Sequence, residues 1–268
     1  MAKNPIIALV TDYGTKDHFV ASMKGVILNV NPDAHIVDIT HDITPNDIFE
    51  TAFLLRCACG FFPSRTIFVV VVDPTVGSAR KPILAATDNY YFIAPDNGVL
   101  SLIHEVEEVS IVVEIQAEHY RLPEISNTFH GRDIFAPAAA WLARGIDIIN
   151  FGEPVEDYVK LPLPKPKIVN DSILKGAVLH IDRFGNCITN ITRQDYEQAR
   201  AKVPGDTFKV LILKQEINGL KQYYAEAQKG ELLALFGSNN FLEISQNLGS
   251  AARTLSVSRG AEVGIQLK

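Results

Sequence analysis

The 268-residue sequence predicts an α/β N-terminal domain with a mostly parallel sheet, followed by a small all-β, antiparallel, barrel-like C-terminal domain. Three observations carry this expectation. Strand-like and helix-like segments alternate up to Arg144, the pattern of strands joined by helical crossovers. One of these strands, Ile67 to Val72, is apolar at every position, as in strands buried on both faces of a parallel sheet. Leu161 to Lys167, LPLPKPK, then sets prolines at every second position as a stiff linker, and beyond it short strands and turns replace the helices. The expected domains are residues 1–167, with the linker at their end, and 168–268.

Ile6 to Thr11 reads as the first strand, turned at its carboxyl end by Asp12-Tyr13-Gly14. Asp17 to Asn29 has helical spacing, with Phe19, Val20, Met23, Val26 and Ile27 on one stripe, and Asn31-Pro32 ends it. His35 to Ile39 is the second strand. Thr44-Pro45-Asn46-Asp47 starts the second helix, with proline and acidic residues in its first turn, and the helix runs to Gly60. Pro74 stops the third strand, Ile67 to Val72, and Gly77-Ser78 turns the chain. Ile83 to Thr87 and Tyr90 to Ala94 are strand-like, and Pro95-Asp96-Asn97-Gly98 is a strong turn. Asp133 to Arg144 reads as a helix opening from the loop that holds Phe129 and His130. In the second domain the expected strands are Gly176 to Ile181, Phe208 to Leu213, Glu231 to Phe236, Phe241 to Ile244 and Ala261 to Leu267. Gln222 to Gln228 reads either as a short helix or as part of a long loop.

The bulk numbers narrow the class. The chain is 47% hydrophobic and 21% charged, ordinary for a globular protein, and its net charge of -6 argues against a nucleic-acid surface. No run approaches the ~18 apolar residues of a membrane span, and the start, MAKNPIIALVTDYG, has no signal-peptide pattern. Cys57, Cys59 and Cys187 are an odd number for a disulfide framework, so a reducing cytoplasm is the expected location. Cys57-Ala58-Cys59 is too tight for a zinc pair, and no histidine or cysteine cluster completes one, so no metal is expected.

Two carboxylates stand at the carboxyl ends of predicted parallel strands, where open α/β sheets place ligands. Asp73 ends the buried strand and shares a loop with Arg80, with which an ion pair is open to it. Asp12 suits a ribose diol, since a carboxylate accepts hydrogen bonds from both hydroxyls; its bland alternative is a turn or helix cap. His130 is the histidine best placed for acid–base work; its bland alternative is a surface loop histidine. His18, His35, His41, His104, His119 and His180 have no convincing partners by spacing. In the second domain, Asp182-Arg183-Phe184-Gly185-Asn186 and the loop from Gly237 to Glu243 offer an aromatic face, amides and a hydroxyl, suited to a purine edge and the ends of an amino acid or simply to turns.

These segments together resemble the S-adenosylmethionine hydroxide adenosyltransferases, the adenosine-forming S-adenosylmethionine hydrolases related to the fluorinating and chlorinating enzymes. The resemblance spans nearly the whole chain. It rests on TDYG (Thr11–Gly14), MKG (Met23–Gly25), DITH (Asp38–His41), VVDPTVGSAR ending at Arg80, and APDNG (Ala94–Gly98). It continues through TFHGRDIFAP (Thr128–Pro137), DRFGN (Asp182–Asn186) and GSNNFLEISQNLGSAA (Gly237–Ala252).

The resemblance implies that a water-derived oxygen displaces methionine from ribose C5′, giving adenosine and L-methionine. The family's catalytic triad falls on Asp73, Arg80 and His130. The halide-using relatives replace the acidic and histidine positions, so their retention here favours water as nucleophile. In this reading water loses its proton near His130, Arg80 stabilises hydroxide character, and Asp73 holds Arg80 or the water in line. By the same resemblance Asp12 binds the ribose, Asp182 the methionine amino group, Phe184 and Asn186 line the pocket, Ser238 holds the amino-acid end, and Gln246 and Leu248 flank the adenine. Where this chain has Asn46 and Gln246, the halide enzymes carry an aromatic residue and an arginine. The resemblance further implies a homotrimer with sites between the first domain of one subunit and the second of the next, and no cofactor beyond the S-adenosylmethionine substrate. The competing expectations are a metal-dependent nucleotide phosphohydrolase, with Asp12 and Asp73 as ligands, and a non-catalytic S-adenosylmethionine-binding protein.

Overall fold

The computed structural model describes residues 5–170, 172–203 and 208–267. The chain divides into two compact units, Met1–Pro162 and Leu163–Lys268.

The first unit is built on a six-stranded sheet: β1 (Ile6–Thr11), β2 (His35–Thr40), β3 (Ile67–Val71), β4 (Pro82–Thr87), β5 (Tyr91–Pro95) and β6 (Val109–Glu114), in spatial order β2-β1-β3-β5-β4-β6. β1 pairs in parallel with β2 and β3, and β3 with β5, while β4 runs antiparallel to β5 and β6. The sheet is therefore mixed and mostly parallel, with β3 inside it.

The apolar run of β3 follows from its two buried faces. Ile67, Val69 and Val71 join one core with Ile7 and Leu9 of β1, and Phe68 and Val70 join the opposite core with Ala8 and Val10. Helix α1 (Phe19–Val30) covers the first face together with α3 (Ala136–Ala143), whose fully buried Ala138, Ala139 and Ala140 let the helix lie close. Helix α2 (Ile48–Cys59) covers the other face through Leu55 and Cys59. It starts one residue after the expected start segment. Asp47 is its N-cap, accepting from Glu50 N–H at 2.9 Å, and Pro45 lies outside the helix. The expected helix from Asp133 opens instead with a π-helical turn, Gly131–Phe135, which runs into α3. β6 lies outside the expected elements: an edge strand with a half-buried pattern gives a weak signal.

The second unit is an eight-stranded antiparallel sheet of β7 (Lys167–Val169), β8 (Ile173–Ile181), β9 (Cys187–Thr192), β10 (Phe208–Ile212), β11 (Gln215–Asn218), β12 (Leu232–Phe236), β13 (Phe241–Gln246) and β14 (Glu262–Leu267). The order β11-β10-β14-β8-β9-β13-β12 curls until its ends approach, and Lys221 N–H, just past β11, donates to the Ala234 carbonyl of β12 at 2.8 Å. The result is nearly a closed barrel, which leaves few open strand edges. Two helices, α4 (Arg193–Arg200) and α5 (Ala251–Leu255), interrupt the strands, and Tyr224–Glu226 is a single 3-10 turn. α4 carries a capping box between Thr192 and Asp195. None of the three cysteines forms a disulfide. Among the described residues no helix is long and apolar enough to cross a membrane.

Candidate active site

Asp73 stands two residues beyond β3, at the carboxyl end of the parallel strands. Arg80 returns to it across the loop: Nε donates to Asp73 Oδ2 at 2.8 Å, and Nη2 makes a very short contact with the same oxygen. The second hydrogen of Nη2 goes to His130 Nδ1 at 2.7 Å. Only 7% of the Arg80 side chain and 5% of the Asp73 side chain are exposed. Gly77 explains how a histidine fifty residues away reaches this pair. Its φ is +79°, and any side chain there would strike the Asn127 carbonyl, so the Asp73–Arg80 loop lies directly on the segment leading to His130. Asp133, fully buried, fixes that segment by accepting from Ser126 N–H at 2.8 Å, while Ser126 Oγ accepts from Phe129 N–H at 3.0 Å.

The contact with Arg80 sets the state of His130. A guanidinium only donates, so Nδ1 must offer its lone pair, and the neutral ring then carries its hydrogen on Nε2. Burial, and then the Arg80 charge, lower the proton affinity of His130, in keeping with a neutral ring. Arg80 Nη1 is buried with no hydrogen-bond partner among the described residues. Among the described residues Asp73 Oδ1 has only a long contact, 3.4 Å, with the Thr75 hydroxyl.

Asp12 follows β1, next to Asp73 across the sheet. Its Oδ2 accepts from Asn46 N–H at 2.9 Å, with Asn46 in the left-handed region at φ 67°. Asn46 thus serves Asp12 through its backbone. Asp12, Tyr13, Asn46, Asp73, Thr128 and Gly131 are among the residues lining a cavity of about 290 Å³. His41 is buried and bonded to Thr11 through Nδ1, while its Nε2 lies at ion-pair distance from Asp38 without hydrogen-bond geometry, so it has partners that spacing did not suggest. Its Nδ1 meets Thr11 Oγ1 at 2.9 Å, its Nε2 meets Asp38 Oδ1 at 3.0 Å, and Lys24 Nζ meets Asp38 Oδ2 at 2.6 Å. The His41 carbonyl accepts from Gly14 N–H at 2.7 Å, which pins the loop carrying Asp12.

The second unit gathers its residues on loops. Asp182 Oδ1 accepts from the N–H groups of Phe184 and Asn186 at 2.9 and 2.8 Å, and Oδ2 accepts from Asn186 Nδ2 at 2.8 Å. This tight turn buries Asn186 and turns Phe184 outward. Ser238 is exposed on the turn between β12 and β13. The amide of Gln246 is already engaged, donating to the Gly230 carbonyl and accepting from Thr254 Oγ1, each at 2.9 Å. Leu248 is exposed, with φ 53°. Glu243 was missed by sequence reasoning: burial, and also the nearby Asp182 charge, push its carboxyl up, and it accepts from Tyr224 Oη at 2.9 Å. Thus Arg80 bonds both Asp73 and His130, Asp12 and Asn46 share the cavity with Asp73, and Asp182, Phe184 and Asn186 share one turn. Tyr13, Lys24, Asp38 and His41 lie inside the motifs TDYG, MKG and DITH, which was their only signal. Among the described residues no group of three or more histidine, cysteine or acidic side chains is placed to hold a metal.

Comparison with known proteins places this arrangement among relatives. The family models described as the SAM hydroxide adenosyltransferase N-terminal and C-terminal domains match residues 7–152 and 176–264. An (R)-S-adenosyl-L-methionine hydrolase of Methanocaldococcus jannaschii is 36% identical, over 97% of this chain and 95% of that protein. A fluorinase of an Actinoplanes species is 28% identical, over 98% and 97%. A solved structure of an uncharacterized conserved protein from Thermotoga maritima superposes with a TM-score of 0.90 at 38% identity, covering 97% of this chain and all of the other.

Proposed function

The chain belongs to the SAM hydroxide adenosyltransferase family, and on that premise we propose that it hydrolyses S-adenosyl-L-methionine to adenosine and L-methionine. The observation that carries this reading is the Asp73–Arg80–His130 chain, which meets the cavity of Asp12 through Asp73. The water oxygen bonds to ribose C5′ as the C5′–sulfur bond breaks. The electron pair of that bond stays on sulfur, methionine leaves as a neutral thioether, and water gives up one proton.

A sulfonium needs no protonation to leave, so the work falls on the water. Asp73 Oδ1 is the open acceptor for its departing proton, and the Arg80 charge held against Asp73 stabilises the growing hydroxide character. His130 acts through Arg80: by accepting at Nδ1 it fixes the guanidinium, and it presents Nε2–H rather than a basic nitrogen. Asp12, with Oδ2 held by Asn46, offers Oδ1 to the ribose hydroxyls. In the second unit Asp182 takes the methionine ammonium, Phe184 and Asn186 line the pocket, Ser238 holds the amino-acid end, and Gln246 and Leu248 flank the adenine.

The finer readings are a homotrimer, a reducing cytoplasmic setting suited to three cysteines outside any disulfide, and turnover without added cofactor. Solution mass and insensitivity to chelator test the first and last. The central test is incubation with S-adenosyl-L-methionine in ¹⁸O-labelled water. Label is expected in the 5′ hydroxyl of adenosine; unlabelled adenosine, or no adenosine at all, sinks the proposal.

A further inference from the structure

Tyr13 has no role in the reaction proposed above, yet it borders the same cavity as both Asp12 and Asp73. It follows Asp12 directly and lines the same cavity as Asp12, Asp73 and Thr128. Its ring is held by two aromatic neighbours, Phe19 at 5.5 Å and Phe129 edge-on at 5.8 Å, which also touch each other at 5.2 Å. Its hydroxyl is laid against the backbone of Gly131, the residue after His130. A Cβ at position 131 would come within 2.7 Å of that oxygen and 3.3 Å of Met23 Sδ. The absence of a side chain at Gly131, in a π-helical turn of the kind often found at functional sites, is what lets the phenol reach this depth.

Tyr13 is half-buried at the cavity wall, and among the described residues its phenol oxygen makes no hydrogen bond, which leaves that oxygen open to a ligand in the cavity. Burial first, and then the charges of Asp12 and Asp73, raise the Tyr13 hydroxyl above the ordinary tyrosine value, while Arg80 opposes them. The group therefore stays a neutral phenol within electrostatic reach of the ribose carboxylate and of the Asp73–Arg80 pair. Such a group accepts a hydrogen bond without taking the proton.

We propose that Tyr13 is a further catalytic residue, whose hydroxyl oxygen takes the second hydrogen bond of the attacking water. The water has two hydrogens. With one hydrogen directed to Asp73 and the other to Tyr13, both lone pairs of the water stay free, and the molecule is oriented so that one of them is aimed at C5′. This inference rests on the hydrolase reading above and adds the group that fixes the orientation of the nucleophile.

The test is steady-state kinetics on S-adenosyl-L-methionine with the parental protein, Y13F, G131A and the double variant, each checked for an unchanged Tm. Y13F keeps the ring and loses the oxygen, so kcat should fall about ten- to a hundredfold through misorientation, with KM moving less than about threefold. G131A keeps the hydroxyl but displaces it, so kcat should fall by about tenfold in the parental background and less than about twofold on top of Y13F. This coupling is a readout that general loosening of the fold would not give, and G131A alone keeps the idea falsifiable if Y13F folds poorly. Parental kcat in Y13F, a change confined to KM, or an equal cost of G131A in both backgrounds overturns the role of Tyr13 while leaving the hydrolase reading intact. No turnover by the parental protein overturns both.

Discussion

Asp73 and Arg80 leave 5% and 7% of their side chains exposed, whereas Phe184 and Leu248 in the second unit leave 76% and 81% of their surfaces open. The first unit sinks its charged groups at strand ends and ties them to one another. The second stands its candidates on loops that are internally satisfied, as in the Asp182–Asn186 turn, and turns apolar side chains outward. Buried, mutually bonded groups hold a fixed geometry and a low local dielectric, which is what bond-making requires. Exposed apolar groups on firm loops have surface still to bury, which is what recognition requires. The contrast implies that changes in the first unit act on kcat and changes in the second on KM.

The sharpest way to break that division is D73N. It keeps the shape of the side chain but removes the charge facing Arg80 and, in the proposed reaction, the acceptor for the departing proton. A loss in kcat of about a thousandfold or more is expected with little change in KM, measured by methionine release. A D73N protein that turns over within tenfold of the parental rate would move the chemistry elsewhere.

His130 separates two roles within the same unit. H130A removes the acceptor for Arg80 and should lower kcat about a hundredfold, while H130N, whose amide oxygen accepts the same bond, should retain a substantial part. Were His130 the base, the two variants would be equally poor. The direction of its proton affinity also fixes a pH dependence. Because burial and Arg80 lower it, the ring is neutral at neutral pH. The rate should fall only below the ordinary histidine value of 6.5, as protonation turns Nδ1 into a donor facing Arg80. H130N should lack that part of the acid limb.

How far these features were readable from sequence divides along the same line. β1 and β3 were legible because burial on both faces leaves a continuous apolar run, and that run placed Asp12 and Asp73 at strand ends. The helix α4, RQDYEQAR, was not, because it buries only Tyr196 and Ala199 and so has almost no apolar stripe; its capping box was the overlooked signal. β9 hid for the opposite reason, burying the polar Thr189 and Asn190, with Asn190 bonded to Ala177 N–H and the Pro164 carbonyl. The link from Arg80 to His130 depends on a loop-to-loop approach at Gly77, which leaves no periodic trace. The Thr11–His41–Asp38–Lys24 chain joins groups brought together by strand pairing and by α1, and a spacing search does not look there.

In the second unit the middle-sized effect comes from D182N. Its turn is held largely by backbone donors, and the amide oxygen of asparagine can keep those at Oδ1, so the fold should survive. The charge proposed to hold the methionine ammonium is lost, and KM for S-adenosyl-L-methionine should rise about tenfold with kcat within about threefold. A fall in kcat with KM unchanged would place Asp182 with the chemistry and blur the division between the units.

The smallest effect concerns Leu248. A leucine at φ 53° adopts a backbone conformation that its Cβ disfavours, and its side chain, 81% exposed, gains little burial in return. Left-handed backbone costs a non-glycine residue roughly 1–2 kcal/mol, and glycine relieves that cost while losing about 0.5–1 kcal/mol to the greater freedom of its unfolded chain. L248G should therefore be neutral to slightly more stable, by up to about 1 kcal/mol, seen as a small rise in Tm. If the exposed leucine is there to cover adenine, the same variant should raise KM severalfold. A side chain retained at a cost to stability and needed for binding marks a recognition surface. An L248G protein with unchanged KM would make Leu248 an ordinary turn residue, and the outward-facing apolar groups of the second unit would lose their best reason for being exposed.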